Sequence, residues 1–143
     1  MPLGGLISSV QDLLGWARFH LGSVAGSPDD PAAPLTRASL NAMQAPLASA
    51  GCFADRVGIA WMLRDVAGRR LVGHGGLTTG YATAFTLVPD AGVGIVVLTN
   101  AQDANLVAGG IRQRLLELLY DQPGEIEGQL ALARDEATRQ RAQ

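Results

Sequence analysis

Lysine is missing from this chain: all eleven of its Lys+Arg residues are arginine. No Ser–Lys pair, in which an amine helps to activate a hydroxyl, can therefore be built within it. Cysteine occurs once, as Cys52, which excludes an intrachain disulfide and leaves the redox compartment open. No basic residue adjoins it in Ala50-Gly51-Cys52-Phe53-Ala54, so Cys52 reads as a buried or loop thiol rather than a nucleophile. The two histidines, His20 and His74, lie 54 positions apart and with one cysteine make no ligand set. Neither a metal nor a cofactor is expected. Charge is sparse, at 17% of residues with a net of −2. The arginines are scattered apart from Arg69-Arg70, and without a basic stripe no nucleic-acid partner is expected. The longest apolar run, Ile59 to Leu63, is far too short to span a membrane. The amino terminus has no basic region before a long apolar core, so no secretion signal is visible. Localisation stays open.

What is present suits one folded domain. The 143 residues are 48% hydrophobic, enough for a single globular core and too few for two comfortable ones. Ser8 and Ser9 are placed to cap a helix, with Gln11 or Asp12 returning a bond to the backbone. Val10, Leu13, Leu14, Ala17 and Leu21 then repeat as one apolar stripe. His20 sits beside that stripe and is expected half-exposed at the surface. Residues 22 to 34 read as a loop. Thr36 can cap a short helix that Pro46 stops, and residues 48 to 55 read as irregular.

From Val57 the period becomes strand-like. Gly58 to Arg64 leads through the turn Asp65-Val66-Ala67-Gly68 into a strand from Arg69 to His74. Tyr81 to Val88 is a third strand, and Pro89-Asp90-Ala91-Gly92 turns it into Val93 to Thr99. Turns this short allow only antiparallel neighbours. The last strand is apolar on both faces, which calls for cover on each side. A helix from about 103 to 120 offers cover, with Leu106, Val107, Ile111, Leu115, Leu118 and Leu119 as its stripe and Pro123-Gly124 as its stop. The predicted fold is α+β: an antiparallel meander of four or more strands, a C-terminal helix packed on it, and N-terminal helices. Trp16 and Trp61 fall on apolar periodicities and read as packing aromatics, while Asp90 and Asn100 fit turn chemistry.

Residues Gly73-His74-Gly75-Gly76-Leu77-Thr78-Thr79-Gly80-Tyr81 carry the most information. A basic side chain ends one strand, and a glycine-rich bend leads into the next. Glycines let another molecule approach the backbone closely, where N–H groups can stabilise developing negative charge. The plain alternative is a hairpin whose histidine merely caps a strand. His74 is expected at a strand end, solvent-accessible or facing a groove.

Neighbouring segments favour the first reading. Pro2-Leu3-Gly4-Gly5-Leu6-Ile7-Ser8-Ser9-Val10-Gln11-Asp12-Leu13 resembles the "GGL.ST..DL" segment of the serine β-lactamase-like superfamily, which comprises class C β-lactamases, DD-peptidases and related esterases. Val57-Gly58-Ile59-Ala60-Trp61 is similar to another of its segments. His74-Gly75-Gly76 with Gly80-Tyr81 resembles its "HGG...GY" version of the third active-site box, elsewhere Lys-Thr-Gly. Pro89-Asp90 and Gly94-Ile95-Val96-Val97-Leu98-Thr99-Asn100 resemble the strand that follows. The ordered set covers residues 2 to about 120.

The resemblance implies roles for several residues. His74 takes the place of the third box's basic residue, with an electrostatic and proton-relaying role, and an imidazole carries less charge at neutral pH than an ammonium. Gly76 lets substrate backbone lie against the strand. The N–H of Leu77 is half of an oxyanion hole whose other half belongs to the nucleophile's own N–H. Gly75 stands where the family usually places Thr or Ser, which favours esterase-like or peptidase-like relatives over β-lactamases. Thr78 or Thr79 offers a substitute hydroxyl. The family's Ser-x-x-Lys and Tyr-x-Asn boxes have no counterpart, since Tyr81 precedes Ala82-Thr83 and Tyr120 precedes Asp121-Gln122.

Residues 1–122 are thus expected to be the C-terminal region of such a serine hydrolase, and 123–143 a helical or frayed tail. The complete enzyme would act on a small-molecule ester, amide or peptide. The chain alone is expected to be inactive and to need a missing N-terminal catalytic segment or a partner chain. The competing reading is a non-catalytic binding or assembly module that retains the sheet.

Overall fold

A computed structural model describes residues 5–22, 31–51, 54–101, 105–124, 126–128, 131–132, 135 and 138–139. Cys52, Pro2 to Gly4 and most of the expected 22–34 loop lie outside them. Helix α1 spans Val10–Leu21. It starts where expected because the Ser9 hydroxyl accepts from the Asp12 N–H at 3.2 Å and donates to its carboxylate at 2.7 Å. It stops at Gly22, whose φ of 77° is the left-handed cap that glycine adopts without penalty. Helix α2, Arg37–Met43, begins at Thr36, whose hydroxyl accepts from the Ser39 N–H at 3.1 Å.

Six strands follow: β1 Ala48–Ser49, β2 Arg56–Val57, β3 Met62–Val66, β4 Arg69–Thr78, β5 Tyr81–Val88 and β6 Val93–Thr99. They lie in sequence order in one antiparallel sheet. The meander was legible; its edges were not. The segment expected to be irregular contributes β1, and Gly58 to Trp61, read as strand, precedes the start of β3. Strands of two residues carry too little periodicity to be seen.

The largest correction concerns the glycines. Residues 75 to 78 form no bend: they continue β4 without a break, and the turn is only Thr79-Gly80. His74 therefore sits within a ten-residue strand rather than at its end. Two of these glycines serve packing rather than turning. A Cβ on Gly73 would run into the Phe85 carbonyl oxygen, and one on Gly76 would come within 2.5 Å of the Thr83 hydroxyl.

Successive β residues point to opposite faces, so the sheet has two cores. On one face Ala17 of α1 packs with Trp61, Leu63, Val72 and Leu87. Close approach is possible because Gly94 of β6 lies beneath Ala17, where a Cβ would be 2.8 Å from the alanine methyl. On the other face Leu71 and Val88 pack with Leu116 of helix α3, Asn105–Leu119. Fully burying side chains such as Val72, Leu87 and Val88 stabilises the fold by about 1.5–3 kcal/mol each.

Two expectations about facing fail. His20 is buried, at 4% exposure, because it shares the sheet-facing side of α1 with Ala17. Helix α3 meets the sheet through Ala108 and Leu116, while Val107, Ile111, Leu115, Leu118 and Leu119 are exposed; the side chain of Leu106 is outside the described set. The small Ala108 together with Leu116, rather than the expected stripe, makes the approach of α3 to the sheet. Beyond Pro123 the chain is tied back: the buried Glu117 carboxylate accepts from the Ile126 N–H at 3.1 Å and pairs with Arg114 at 3.3 Å. No helix among the described residues is long and apolar enough to cross a membrane.

Candidate functional site

Two hairpins decide where the backbone of β4 points. The first turns between Val66 and Arg69 through Ala67 (φ 49°) and Gly68 (φ 74°), the positive-φ pair that suits strand twist. In a hairpin closed by two residues the flanking pair exchanges both N–H···O bonds, and bonded pairs then alternate. Across β3 and β4 the bonded pairs are therefore Val66/Arg69, Arg64/Leu71 and Met62/Gly73. The second hairpin closes at Thr78/Tyr81, so Gly76/Thr83, His74/Phe85 and Val72/Leu87 are bonded across β4 and β5.

The two registers agree: odd-numbered residues of β4 direct their N–H and C=O groups toward β3, even-numbered ones toward β5. Strand β3, however, begins at Met62 opposite Gly73. Gly75 and Leu77 continue the odd row past that point, where no strand among the described elements pairs with them. An open ladder of this kind accepts an extended chain or an acyl group by backbone hydrogen bonding. The expected result in amide hydrogen exchange is an alternation: Gly75 and Leu77 exchange about tenfold or more faster than His74 and Gly76. Equal protection along 74–77 would show that the edge is covered.

Side chains on the even row face the α1 side. His74 is exposed there, opposite Phe85, with Gly76 and Thr83 as the next pair. The His74 Nδ1 lies 2.6 Å from the Gly75 carbonyl oxygen. A carbonyl only accepts, so Nδ1 carries the hydrogen, and in the neutral ring Nε2 is left as the acceptor. The imidazole is thus fixed in the tautomer that can take a proton at Nε2. At Gly75 a Cβ would meet only the Thr83 carbonyl, at 3.6 Å. Space alone does not explain why Thr or Ser is lacking there.

The predicted residues are not all brought together. The Gly75 and Leu77 amides share the open edge beside His74, with Gly76 between them. Thr78 is exposed four residues further on, roughly 13 Å along an extended strand, and Thr79 lies in the turn. Among the described residues no three His, Cys, Asp or Glu side chains gather as a metal site.

An aromatic row behind the site was missed. Phe85 stacks on Trp61 with ring centroids 5.7 Å apart, Trp61 meets His20 edge-on at 4.9 Å, and His20 meets Trp16 at 4.4 Å. His20 Nδ1 accepts from the Gln44 side-chain amide at 3.2 Å, which leaves the ring hydrogen on a buried, unpartnered Nε2. Burial lowers the pKa of His20 from 6.5 to about 4, so the row is uncharged at neutral pH. Alternation along β5 would have placed Phe85 and Thr83 opposite His74 and Gly76, had the glycines been read as strand.

Comparison with known proteins fits this architecture. The family model described as Beta-lactamase matches residues 1–119. No curated protein sequence matches. Among solved structures, an octameric penicillin-binding protein homologue from Pyrococcus abyssi is similar over 82% of this chain and 25% of its own, at 22% identity and a TM-score of 0.68. A D-stereospecific amidohydrolase from Streptomyces sp. overlaps 66% of this chain and 26% of its own, at 20% identity and a TM-score of 0.49. The first likeness is one of fold, and the chain spans about a quarter of that protein's length.

Proposed function

The chain belongs to the β-lactamase family, and from that premise we propose that it supplies the substrate-lining strand of a serine acyl hydrolase acting on an ester, amide or peptide. The observation that carries this reading is the open edge of β4 beside His74. A carbonyl laid against that edge would meet the Leu77 N–H, a donor placed to stabilise a developing oxyanion. His74 would act on the same group from the strand's exposed face, with Nε2 free to take or return a proton. Gly76 keeps the strand between them free of side-chain bulk.

The nucleophile and its activating amine must come from elsewhere, since the chain has no lysine. A preceding catalytic segment or a partner chain is the source proposed. The exposed row Val107, Ile111, Leu115 and Leu118 on α3 supports such a neighbour, because large apolar rows on a surface mark contacts. Residues 1–122 are read as the family's C-terminal region and 123–143 as an appendage. The same exposed row favours the second reading, a non-catalytic assembly module.

One experiment separates the two. A Ser-x-x-Lys and Tyr-x-Asn segment of a family member is joined ahead of this chain, and hydrolysis of a p-nitrophenyl ester is followed. Turnover by the fusion and by neither part alone is expected. A fusion that folds cooperatively by circular dichroism yet turns over nothing would leave the assembly reading in place.

A further inference from the structure

Strand β6 closes the sheet at one side, and the hairpin registers decide what its outer edge offers. The odd-numbered residues of β5 bond to β4, so its even ones bond to β6. The bonded pairs there are Ala82/Thr99, Ala84/Val97, Thr86/Ile95 and Val88/Val93. The odd row of β6 is thereby taken. Gly94, Val96 and Leu98 turn their N–H and C=O groups outward, where no strand among the described residues pairs with them. Edge strands are normally blunted by a charge, a proline or a bulge. Val93 to Thr99 contains no charged residue and no proline, and its pairing with β5 runs without interruption.

Helices flank this edge. On one face α1 rests on β6, and on the other α3 lies over β5 and β6. Gly109, Arg112 and Gln113 of α3 border the space over β3 and β4. With about 3.6 residues per turn, Val107, Ile111, Leu115 and Leu118 lie on the opposite side of that helix, beside the outer edge of β6. All four are exposed. A row of backbone donors and acceptors beside uncharged apolar side chains specifies an extended, uncharged segment of polypeptide. A helix is about 10–12 Å wide and neighbouring strands are about 4.8 Å apart, so α1 already overhangs the place of the next strand. That space takes a bare strand rather than a second copy of this sheet bearing its own α1.

We propose that the outer edge of β6 binds an extended apolar segment of a separate polypeptide. The segment joins the sheet antiparallel to β6, exchanging backbone bonds with Gly94, Val96 and Leu98 and laying one row of its side chains on α3. This edge is distinct from the open part of β4 beside His74, and the proposal does not depend on acyl-transfer activity.

The test is amide hydrogen exchange of the full chain with and without the peptide acetyl-Thr-Val-Thr-Val-Thr-Val-Thr-amide, whose valines supply the apolar row. Exchange at Gly94, Val96 and Leu98 should slow by about tenfold or more on binding, with Gly75 and Leu77 unchanged. The same peptide N-methylated at its threonines, whose N–H groups would face β6, should give no protection. Val96→Pro removes the central outward donor without breaking a bond to β5, a change that edge strands tolerate. It should weaken binding about tenfold, the scale of a lost hydrogen bond. Ile111→Glu, at an exposed position of the apolar row, should weaken binding while circular dichroism shows the fold retained. Absence of saturable protection, equal binding of the N-methylated peptide, or undiminished binding by both variants would overturn the proposal. So would protection at Gly75 and Leu77 in place of β6, or concentration-dependent protection of β6 in the chain alone, the mark of a second copy at this edge.

Discussion

Replacing His74 with alanine in the ester-hydrolysing fusion is expected to lower kcat/KM by about 10²- to 10⁴-fold, the range for a positioned acid–base or electrostatic group. The expected effect on stability is small, about 0.5 kcal/mol or less, because the side chain is exposed. His74→Lys should recover part of the rate, since an ammonium on the same strand supplies the charge that the family's third box usually carries. The separation of the two readouts is the point. A histidine that only decorates a strand would leave the rate unchanged. One that holds the strand together through its contact with the Gly75 carbonyl, 2.6 Å away, would lower rate and stability in step. Steady-state kinetics and urea unfolding on the same preparations distinguish these outcomes.

A second large effect is expected from pH. His20 is neutral in the folded chain because burial lowers its pKa from 6.5 to about 4. Between those two values the unfolded chain binds the proton and the folded chain does not, so stability rises with pH across this window. Acidification from pH 7 to pH 4 should therefore cost about 2–3 kcal/mol through this residue, at 1.36 kcal/mol per pK unit. Below about pH 4 the loss levels off, since both states are then protonated. His20→Phe removes the titrating group while keeping an aromatic ring between Trp16 and Trp61. The difference between wild-type and His20→Phe stabilities, measured by urea unfolding across pH 4–7, isolates the contribution from that of the carboxylates. Parallel curves would show that His20 is protonated in the folded state or hydrated at its unpartnered Nε2.

The sequence made the meander and the helix starts readable, and the reasons lie in particular residues. Ser9 and Thr36 are strong caps, and the turns at Ala67-Gly68 and Gly92 carry the positive φ that glycine-containing turns announce. What stayed hidden was set by partners distant in sequence. Gly75 and Gly76 looked like a bend because glycine signals turns; at Gly76 the Thr83 hydroxyl instead occupies the space of a side chain. His20 looked like a surface residue because it is polar, yet the Gln44 amide and three aromatic rings make its burial tolerable. On α3 the leucines promised a buried stripe, whereas Ala108 decides which side approaches the sheet. The candidate site was legible as a motif. The open backbone edge beside the motif came from the register of two hairpins, which no local pattern reveals.

In the proposed reading this chain supplies the substrate-lining strand and His74 of an acyl hydrolase but no activated nucleophile. Intact-protein mass spectrometry of the chain alone after incubation with a fluorophosphonate, followed by peptide mapping, tests this. No adduct on any serine is expected, because no lysine is present to activate one. Stoichiometric labelling of a single serine would contradict it.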